Sequence, residues 1–351
     1  MTYIVKPVNH HPNLPKNKLG LTRRDYEGAV SSLCAGCGHD SISAAIVDAC
    51  FELNIEGHKI AKLSGIGCSS KAPNYFLNKA HGFNSVHGRM PSVMTGASLA
   101  NHELVYLGIS GDGDTASIGI GQFIHVARRQ LNAVYIVENN GTYGLTKGQF
   151  SATNDLQSKS KYGEDNLFSA IDLPIMAVQL GASFVGRSFS GDKEQLVPLL
   201  MAAIQHKGFA FLDIISPCVT FNNHTSSTKS YDYVREHNKA VSKPDFVPIG
   251  KEITVSYDEG ETTDVKLHDG SYLKLQKTDG NYNAEDRINA LNQMQISQEN
   301  GTILTGLLYI NPNTKDLKTT LNVTDTPLNV LDQKQLCPGS NALDLINLNL
   351  K

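Results

Sequence analysis

Two short polar clusters in the middle of the chain carry the residue types that hold a divalent cation and a phosphorylated ligand. The first runs from Gly111 to Asp114 with the sequence GDGD, and the second begins with Asn139 and Asn140, with 25 residues between Gly113 and Asn139. Carboxylate and amide oxygens suit a hard cation such as Mg²⁺, and glycines let backbone approach a ligand closely. Either cluster alone is typical of an ordinary turn. Their combination at this spacing indicates a binding site.

The elements that flank the clusters predict how they are positioned. Apolar runs at Leu104–Ile109 and Asn132–Glu138 precede the two clusters and indicate buried strands, with a helix predicted between them from about Ser117 to Gln130. A strand–helix–strand unit brings both clusters to the carboxyl ends of neighbouring strands, which is where open α/β sheets bind ligands. The helix that opens after Gly113 would offer amide donors to a phosphate group.

GDG followed at this distance by NN resembles the diphosphate signature of thiamine diphosphate (ThDP) enzymes. The resemblance implies that the Asp112 carboxylate, the Asn140 amide and the carbonyl of Thr142 hold Mg²⁺ beside the cofactor's diphosphate.

Four of the six cysteines lie in glycine-containing loops or directly after predicted strands. Cys34 and Cys37 form a C-x-x-C unit before a helix predicted from about Asp40, Cys68 follows a short strand, and Cys218 follows the apolar run 209–215. A C-x-x-C unit alone fits a redox dithiol, half of a zinc site or half of an iron–sulfur site. The spacing does not match the two C-x-x-C knuckles of a zinc ribbon. A redox centre beside a carbanion-forming cofactor has a clear use, which favours a [4Fe–4S] cluster over zinc.

The motifs CAGCGH, GIGCSSK, HGR, GDGD, ENNGTYGLTKGQ and SPC together resemble the β subunit of 2-oxoacid:ferredoxin oxidoreductases over roughly residues 30–245. The resemblance implies that Cys34, Cys37, Cys68 and Cys218 bind one [4Fe–4S] cluster. It implies two catalytic positions, Lys71 at the substrate carboxylate and Leu145 beside the thiazolium and substrate. The cofactor-binding residues implied are Ile66, Gly67, Cys68, His87, Gly111, Asp112, Gly113, Asp114, Asn140, Thr142, Gly144 and Leu145.

The family resemblance implies oxidative decarboxylation of a 2-oxoacid with coenzyme A, electrons passing through the cluster to ferredoxin. The LTKGQ loop and the long C-terminal part favour 2-oxoglutarate, with pyruvate as the second choice. The sequence contains no second α/β unit to supply the pyrimidine-binding domain and its activating Glu, so an α subunit, or a fused γα chain, is the expected partner. A non-oxidative ThDP decarboxylase or synthase subunit and an electron-carrier or binding module, each with structural zinc, remain open alternatives.

Composition and patterning bound the remaining expectations. The chain has 351 residues and a formal net charge of −3, which favours neither nucleic acid nor an anionic membrane as partner. No apolar run approaches 18 residues, and a cytoplasmic location is expected. Alternating strands and helices predict an α/β fold, a mostly parallel sheet with helices on both faces. The predicted divisions are an N-terminal arm at 1–29, a ThDP- and Mg²⁺-binding domain at 30–248 and an extension at 249–351 that lies on partner subunits. The extension is expected to contain short hairpins, a helix at 284–298 and a docking helix at 343–350, with a disordered tail as the alternative for its final third.

Overall fold

The computed structural model describes residues 13–158, 164–218, 220, 254–266, 272–280, 282–337 and 339–350. The first twelve residues of the predicted N-terminal arm and most of the segment from 219 to 253 lie outside this description. Within the described residues, the strands are β1 Ile60–Ser64, β2 His81–Asn84, β3 Val105–Gly111, β4 Ala133–Asn139, β5 Thr142–Tyr143, β6 Gln149–Phe150, β7 Phe184–Phe189, β8 Phe209–Ile215, β9 Thr262–Lys266, β10 Tyr272–Lys277 and β11 Ile303–Ile310.

The α-helices formed by the described residues alternate with the strands along the first two thirds of the chain. They are α1 Gly38–Glu52, α2 Met90–Ala100, α3 Ile120–Arg128, α4 Leu173–Gln179, α5 Lys193–Gln205, α6 Arg287–Glu299, α7 Leu317–Leu321, α8 Gln333–Leu336 and α9 Ser340–Asn349. Short 3₁₀ turns lie at Arg23–Tyr26, Gly57–Lys59, Ser69–Asn74 and Leu328–Val330, and a single π-helical stretch covers Gly113–Ile118.

Nine of the described strands form one sheet in the order β2-β1-β3-β4-β8-β7-β11-β10-β9. The six strands from β2 to β7 in this order are mutually parallel, while β11 pairs antiparallel with β7. Strands β5 and β6 form a separate small hairpin. The predicted class, an α/β fold with a mostly parallel sheet and helices, is confirmed.

Two apolar layers cover the two faces of the sheet. One face carries an aromatic cluster in which the Phe123 ring of α3 lies 5.0 Å from that of Phe211 and 5.7 Å from that of Tyr135. The other face packs aliphatic side chains of the strands against buried positions of α1 and α5, such as Ile46 and Leu200. Burial on both faces explains why the central strands are continuous apolar runs rather than alternating patterns.

The strand order determines which loops meet. Strands β1, β3, β4 and β8 are consecutive and parallel, so the segments that follow them leave the sheet at one edge. The register places Gly111 opposite Glu138, and Asn139 opposite Ile215. The loop with Cys68, the GDGD cluster, the two asparagines and Cys218 therefore begin side by side.

The C-terminal part contributes strands to the same sheet. Strand β11 pairs with β7, and β9 and β10 form an antiparallel pair beyond it. The Asp-Gly turn predicted at 269–270 lies outside the described residues. Helix α6 begins three residues after its predicted start and ends one residue after its predicted end. Helix α9 overlaps the predicted docking helix and exposes Leu343, Ile346 and Leu348. The domain boundaries and the subunit contacts of this part stay predictions. None of the helices formed by the described residues combines the length and apolar character needed to cross a membrane.

Candidate active site

A pocket opens at the carboxyl edge of β1, β3 and β4. Every residue predicted from sequence to bind the cofactor lines it, from Ile66 to Leu145. The structure adds five lining residues that the sequence analysis did not predict, which are His39, Ser69, Glu138, Tyr143 and Thr146. Residues from five separate segments thus meet around one cavity.

Asp112 is buried and held in a fixed orientation. Its Oδ2 accepts hydrogen bonds from the hydroxyl of Ser151 and, at 2.7 Å, from the Thr153 hydroxyl. The backbone N–H of Asn140 donates to Oδ1 at 3.3 Å. Asn140 is itself fixed, because its Oδ1 accepts the N–H of Thr142 at 3.0 Å. Asp112, Asn140 and Thr142 therefore form one connected group, with oxygen donors of the kind that Mg²⁺ prefers.

Asp114 makes different contacts from Asp112. Its Oδ1 accepts the Gly88 N–H at 2.8 Å, and its Oδ2 accepts the Ser110 hydroxyl at 3.0 Å. A Cβ at Gly65 would lie 2.0 Å from Oδ2, so this carboxylate also needs a glycine beside it. These contacts tie the loop that carries His87 to the end of β3. A direct cofactor contact by Asp114 stays a prediction.

The loop between β4 and β6 packs directly on the GDGD segment. The Tyr143 hydroxyl donates to the Gly113 carbonyl at 3.0 Å, and its ring lies so close that a Cβ at Gly113 would be 2.5 Å from the ring. Gly144, the next residue, brings the loop against the thiols, because a Cβ there would lie 3.3 Å from Cys68 Sγ and 3.9 Å from Cys218 Sγ. The loop that carries Tyr143 and Gly144 is therefore a direct neighbour of both the GDGD segment and two of the predicted cluster ligands.

The four predicted cluster cysteines lie on loops at the same edge of the sheet. Cys37 caps α1, Cys68 precedes a 3₁₀ turn, and the Thr220 hydroxyl lies 3.7 Å from Cys34 Sγ. Burial raises the pKa of the Cys37 thiol, and charge at Cys218 raises it further. Among the described residues, however, no three His, Cys, Asp or Glu side chains are arranged closely enough to hold a metal ion. A [4Fe–4S] cluster has a different requirement, because its four cysteine ligands bind separate iron atoms. The thiols of Cys68 and Cys218 lie beside the same residue, Gly144.

A buried carboxyl group lies beneath the cysteine loops. Glu138, at the end of β4, is 0% exposed, and neither of its side-chain oxygens has a hydrogen-bond partner among the residues that the structure describes. Its Oε2 lies 3.4 Å from Nδ1 of His39, which is also 2.6 Å from the Ser216 hydroxyl. Burial raises the pKa of Glu138 well above its ordinary value and lowers the pKa of His39 to about 4, so both groups are driven toward their neutral forms.

The two predicted catalytic positions lie at the rim. Leu145 lines the pocket and is half exposed. Lys71 is half-buried in the 3₁₀ turn that follows Cys68 and does not line the pocket itself. Burial raises the pKa of the Cys68 thiol, and the Lys71 ammonium works in the opposite direction, so this cation acts on the cysteine side of the site. The roles of both residues stay predictions.

Comparison with known proteins identifies the cofactor class. A family model described as "Thiamine pyrophosphate enzyme, C-terminal TPP binding domain" matches residues 65–214. Thiamine pyrophosphate is another name for ThDP. The matched range begins at the end of β1 and ends within β8, so it contains the pocket, GDGD and the two asparagines.

Individual relatives are more specific. The 2-oxoacid:ferredoxin oxidoreductase subunit beta of Saccharolobus solfataricus is 39% identical over 219 residues, which cover 62% of this chain and 71% of that protein. The 2-oxoglutarate synthase subunit KorB of Methanocaldococcus jannaschii is 33% identical over 248 residues, 70% of this chain and 87% of that protein.

A solved structure agrees with them. A 2-oxoglutarate:ferredoxin oxidoreductase from Magnetococcus marinus, with 2-oxoglutarate, coenzyme A and succinyl-CoA bound, superposes with a TM-score of 0.72 and 26% sequence identity over 95% of this chain and 98% of that chain. The resemblance seen in the cysteine, GDGD and LTKGQ motifs is thereby confirmed, and the chain belongs to the β subunits of the ThDP-dependent 2-oxoacid:ferredoxin oxidoreductases.

Proposed function

We propose that this β subunit acts in the coenzyme A-dependent oxidative decarboxylation of 2-oxoglutarate, with Mg²⁺-bound ThDP and a [4Fe–4S] cluster, and with ferredoxin as electron acceptor. One observation carries the proposal: Tyr143 contacts Gly113, the residue after the oriented Asp112, while the next residue of the same loop, Gly144, lies beside the thiols of Cys68 and Cys218. A phosphate-binding site and a redox centre placed there would be close neighbours.

The donor chemistry fits the cation. Asp112 would offer a carboxylate oxygen whose direction is set by Ser151 and Thr153, and Asn140 and Thr142 would offer amide and carbonyl oxygens. Gly111 and Gly113 line the pocket, so a diphosphate could approach the backbone of this segment. These residues would hold the cofactor through Mg²⁺ and keep its diphosphate fixed at the sheet edge.

The thiols would hold the second group. Cys34, Cys37, Cys68 and Cys218 are the proposed ligands, and the thiols of Cys68 and Cys218 both lie beside Gly144. The bound groups would supply cleavage of the bond to the substrate carboxyl group and uptake of electrons, respectively. Lys71 would orient the 2-oxoacid by its carboxylate, and Leu145 would limit the size of the pocket.

The substrate proposal is supported by the names of two related proteins. The M. jannaschii relative is named for 2-oxoglutarate, and the M. marinus structure contains 2-oxoglutarate and coenzyme A. An α subunit, or a fused γα chain, would supply the pyrimidine-binding domain and the activating Glu. We place the complex in the cytoplasm, because exposed unpaired thiols such as Cys34 and Cys337 stay reduced there.

The direct test is metal analysis and spectroscopy of protein purified without oxygen, together with its copurifying subunit. The proposal expects about four irons and four sulfides per β chain and bleaching of the visible spectrum on addition of 2-oxoglutarate and coenzyme A. A weaker response to pyruvate would support 2-oxoglutarate, and a stronger one would make pyruvate the substrate. Zinc without iron, and no spectral response, would contradict the redox proposal and favour a non-oxidative ThDP enzyme with a structural metal site.

Two matched substitutions separate the two sites. Cys218→Ser should lose iron, whereas Cys337→Ser, which changes an exposed cysteine in the terminal region, should keep it. Asp112→Ala should abolish Mg²⁺-dependent ThDP binding, measured by calorimetry, and leave the iron content unchanged. Retained ThDP affinity in Asp112→Ala would show that the cofactor is held elsewhere.

A further inference from the structure

A chain of buried polar side chains leads away from Asp112 across three adjacent strands. The Thr153 hydroxyl lies within donating distance of Asp112 Oδ2, at 2.7 Å, and of Asn139 Oδ1, at 3.1 Å. The amide nitrogen of Asn139 donates to Asp213 Oδ1 at 2.9 Å. Asp213 Oδ2 in turn accepts the Nε–H of Arg187 at 2.9 Å. The chain ends at Asp172, whose Oδ2 lies 2.8 Å from Arg187 Nη2.

The strand register explains how this chain forms. Arg187 of β7 stands opposite Asp213 of β8, and Asp213 stands opposite Val137 of β4, two residues before Asn139. Residues two apart on a strand share a face, so the side chains line up across the face that packs on α4. Asp172 is the N-cap of α4 and accepts the Ile175 N–H. The chain of polar side chains thus runs across one face of the sheet, from the N-cap of α4 to the pocket.

Burying charged side chains costs free energy, so this arrangement is expected to serve the geometry of the site. Arg187 is 8% exposed and Asp213 is 1% exposed. Replacing buried ion pairs by apolar side chains of similar volume is often neutral or stabilising, so stability alone does not account for charges here. A guanidinium, in contrast, presents several donors in a rigid fork and can fix two carboxylates at defined positions. The fork therefore sets the position of Asp213.

A fixed Asp213 determines the orientation of the Asn139 amide. With its nitrogen directed to Asp213, Asn139 must direct its oxygen toward Thr153, which is where the structure has it. The Thr153 hydroxyl, with its single proton, lies between this oxygen and Asp112 Oδ2, so the orientation of Asn139 affects how the proton is shared between the two acceptors. Asn139 is also the residue directly before Asn140, so its side-chain contact restrains the backbone that carries the second proposed Mg²⁺ ligand.

We infer that Arg187 is a positioning residue for the Mg²⁺–diphosphate site, acting through Asp213, Asn139 and Thr153 on Asp112. The inference rests on the proposed function, since it requires that Asp112 bind the cation. Groups that orient metal ligands typically change metal affinity by 10–100-fold when they are altered. Arg187 is not among the described residues that line the pocket, so its effect should fall on cofactor binding and not on the reaction itself.

The test compares Arg187→Lys with Asp172→Asn in the complex purified without oxygen. Lysine keeps the positive charge but loses the fork, and should raise the Mg²⁺ concentration needed for half-saturation with ThDP by about tenfold. Asp172→Asn changes the arginine's other contact, on the side away from the pocket, and asparagine still serves as an N-cap. It should leave the Mg²⁺ requirement within about twofold. Calorimetry of ThDP binding at a series of Mg²⁺ concentrations gives both values.

Turnover provides a second readout. At saturating Mg²⁺ and ThDP, kcat of Arg187→Lys should equal that of the wild type, because only occupancy of the site has changed. An equal loss of ThDP affinity in both variants, in proportion to their loss of thermal stability, would mean that Asp172, Arg187 and Asp213 have only a structural role. If Arg187→Lys does not fold, Asp213→Asn carries the same test, because it keeps the side-chain shape and weakens the bond from Asn139. Unchanged Mg²⁺ dependence in that variant would overturn the inference.

The same data separate this inference from the proposed function. Wild-type protein that shows no Mg²⁺-dependent ThDP binding would refute the function. Wild-type binding together with unaltered binding in Arg187→Lys would refute only the positioning role.

Discussion

The contact between Tyr143 and Gly113 predicts that Gly113→Ala disrupts the cofactor site. A Cβ at this position would lie 2.5 Å and 2.6 Å from two carbons of the Tyr143 ring, whereas non-bonded carbons pack at about 3.5–4.0 Å. The ring would have to retreat by about 1.0–1.5 Å, the difference between these distances. The backbone of Gly113 is not in the left-handed region, so the cost comes from this contact.

That retreat has two energetic consequences. It would break the bond from the Tyr143 hydroxyl to the Gly113 carbonyl, worth about 1 kcal/mol, and overpacking of this kind costs about 1–3 kcal/mol. The sum, about 2–4 kcal/mol of lost stability, falls on the loop that contains Thr142 and Gly144. Because Thr142 is next to the displaced residue, we expect Mg²⁺-dependent ThDP affinity to fall at least tenfold, which corresponds to about 1.4 kcal/mol.

Calorimetric titration of ThDP and the thermal unfolding midpoint, both on the purified complex, measure these effects. Gly121→Ala is the matched control, because it lies in the next helix and a Cβ there meets no atom within 4 Å. It should keep ThDP affinity and gain up to about 1 kcal/mol of stability. In a Tyr143→Ala background, Gly113→Ala should cost much less, since the opposing ring is absent. Wild-type affinity and stability in the single Gly113→Ala variant would refute the close-approach reasoning.

Two further predictions concern charged side chains near the site. Lys71→Ala should lower 2-oxoacid turnover by about 100-fold with ThDP binding intact. Lys79→Ala, at an exposed lysine on the same segment, is the control and should match wild type. Steady-state kinetics measures the turnover of both variants, and calorimetry measures their ThDP binding. Glu138→Gln should stabilise the protein at alkaline pH. Because burial raises the pKa of Glu138, its favourable contribution is complete below the ordinary pKa and is lost as pH rises through the raised value. Each unit by which the pKa is raised costs the wild type about 1.4 kcal/mol of folding stability at alkaline pH. The gain in unfolding midpoint of Glu138→Gln should therefore shrink to nothing toward pH 4, and a gain independent of pH would contradict this explanation.

The central strands could be predicted because burial on both faces leaves a simple signal. The runs at 104–109 and 132–138 lie within two residues of β3 and β4, and Phe209–Ile215 is β8 as predicted. Their order in the sheet then brings the polar clusters together, which is why the residues predicted for the cofactor all line one pocket. The helix predicted from 117 begins instead as a π-helical stretch at Gly113, closer to the pocket.

Residues that support the site from a distance left little trace in the sequence. Ser151 and Thr153 hold Asp112 from about forty positions away, in a loop where hydroxyl residues are common. Arg187 and Asp213 lie in short apolar strands, and a single charge there does not reveal its partner. Strand β11 was not predicted, although Ile303–Ile310 is an apolar run, because the surrounding composition is polar and its pairing with β7 is a long-range contact.

Glu138 shows why pattern and chemistry have to be considered together. It ends the apolar strand β4 and occupies the face on which Val134 and Ile136 pack into the aliphatic core, so the pattern favours an apolar residue there. A carboxyl group at that position has no hydrogen-bond partner and faces His39, whose Nδ1 is 2.6 Å from Ser216 on the strand end that leads to Cys218. His39 is therefore in contact with the ends of β4 and β8 at once, and it lies two residues after Cys37. The pair thus joins the end of β4, which leads to the two asparagines, to the start of α1 at Cys37 and to the strand end that leads to Cys218. A single buried contact therefore links the proposed Mg²⁺ side of the site to its cysteine side.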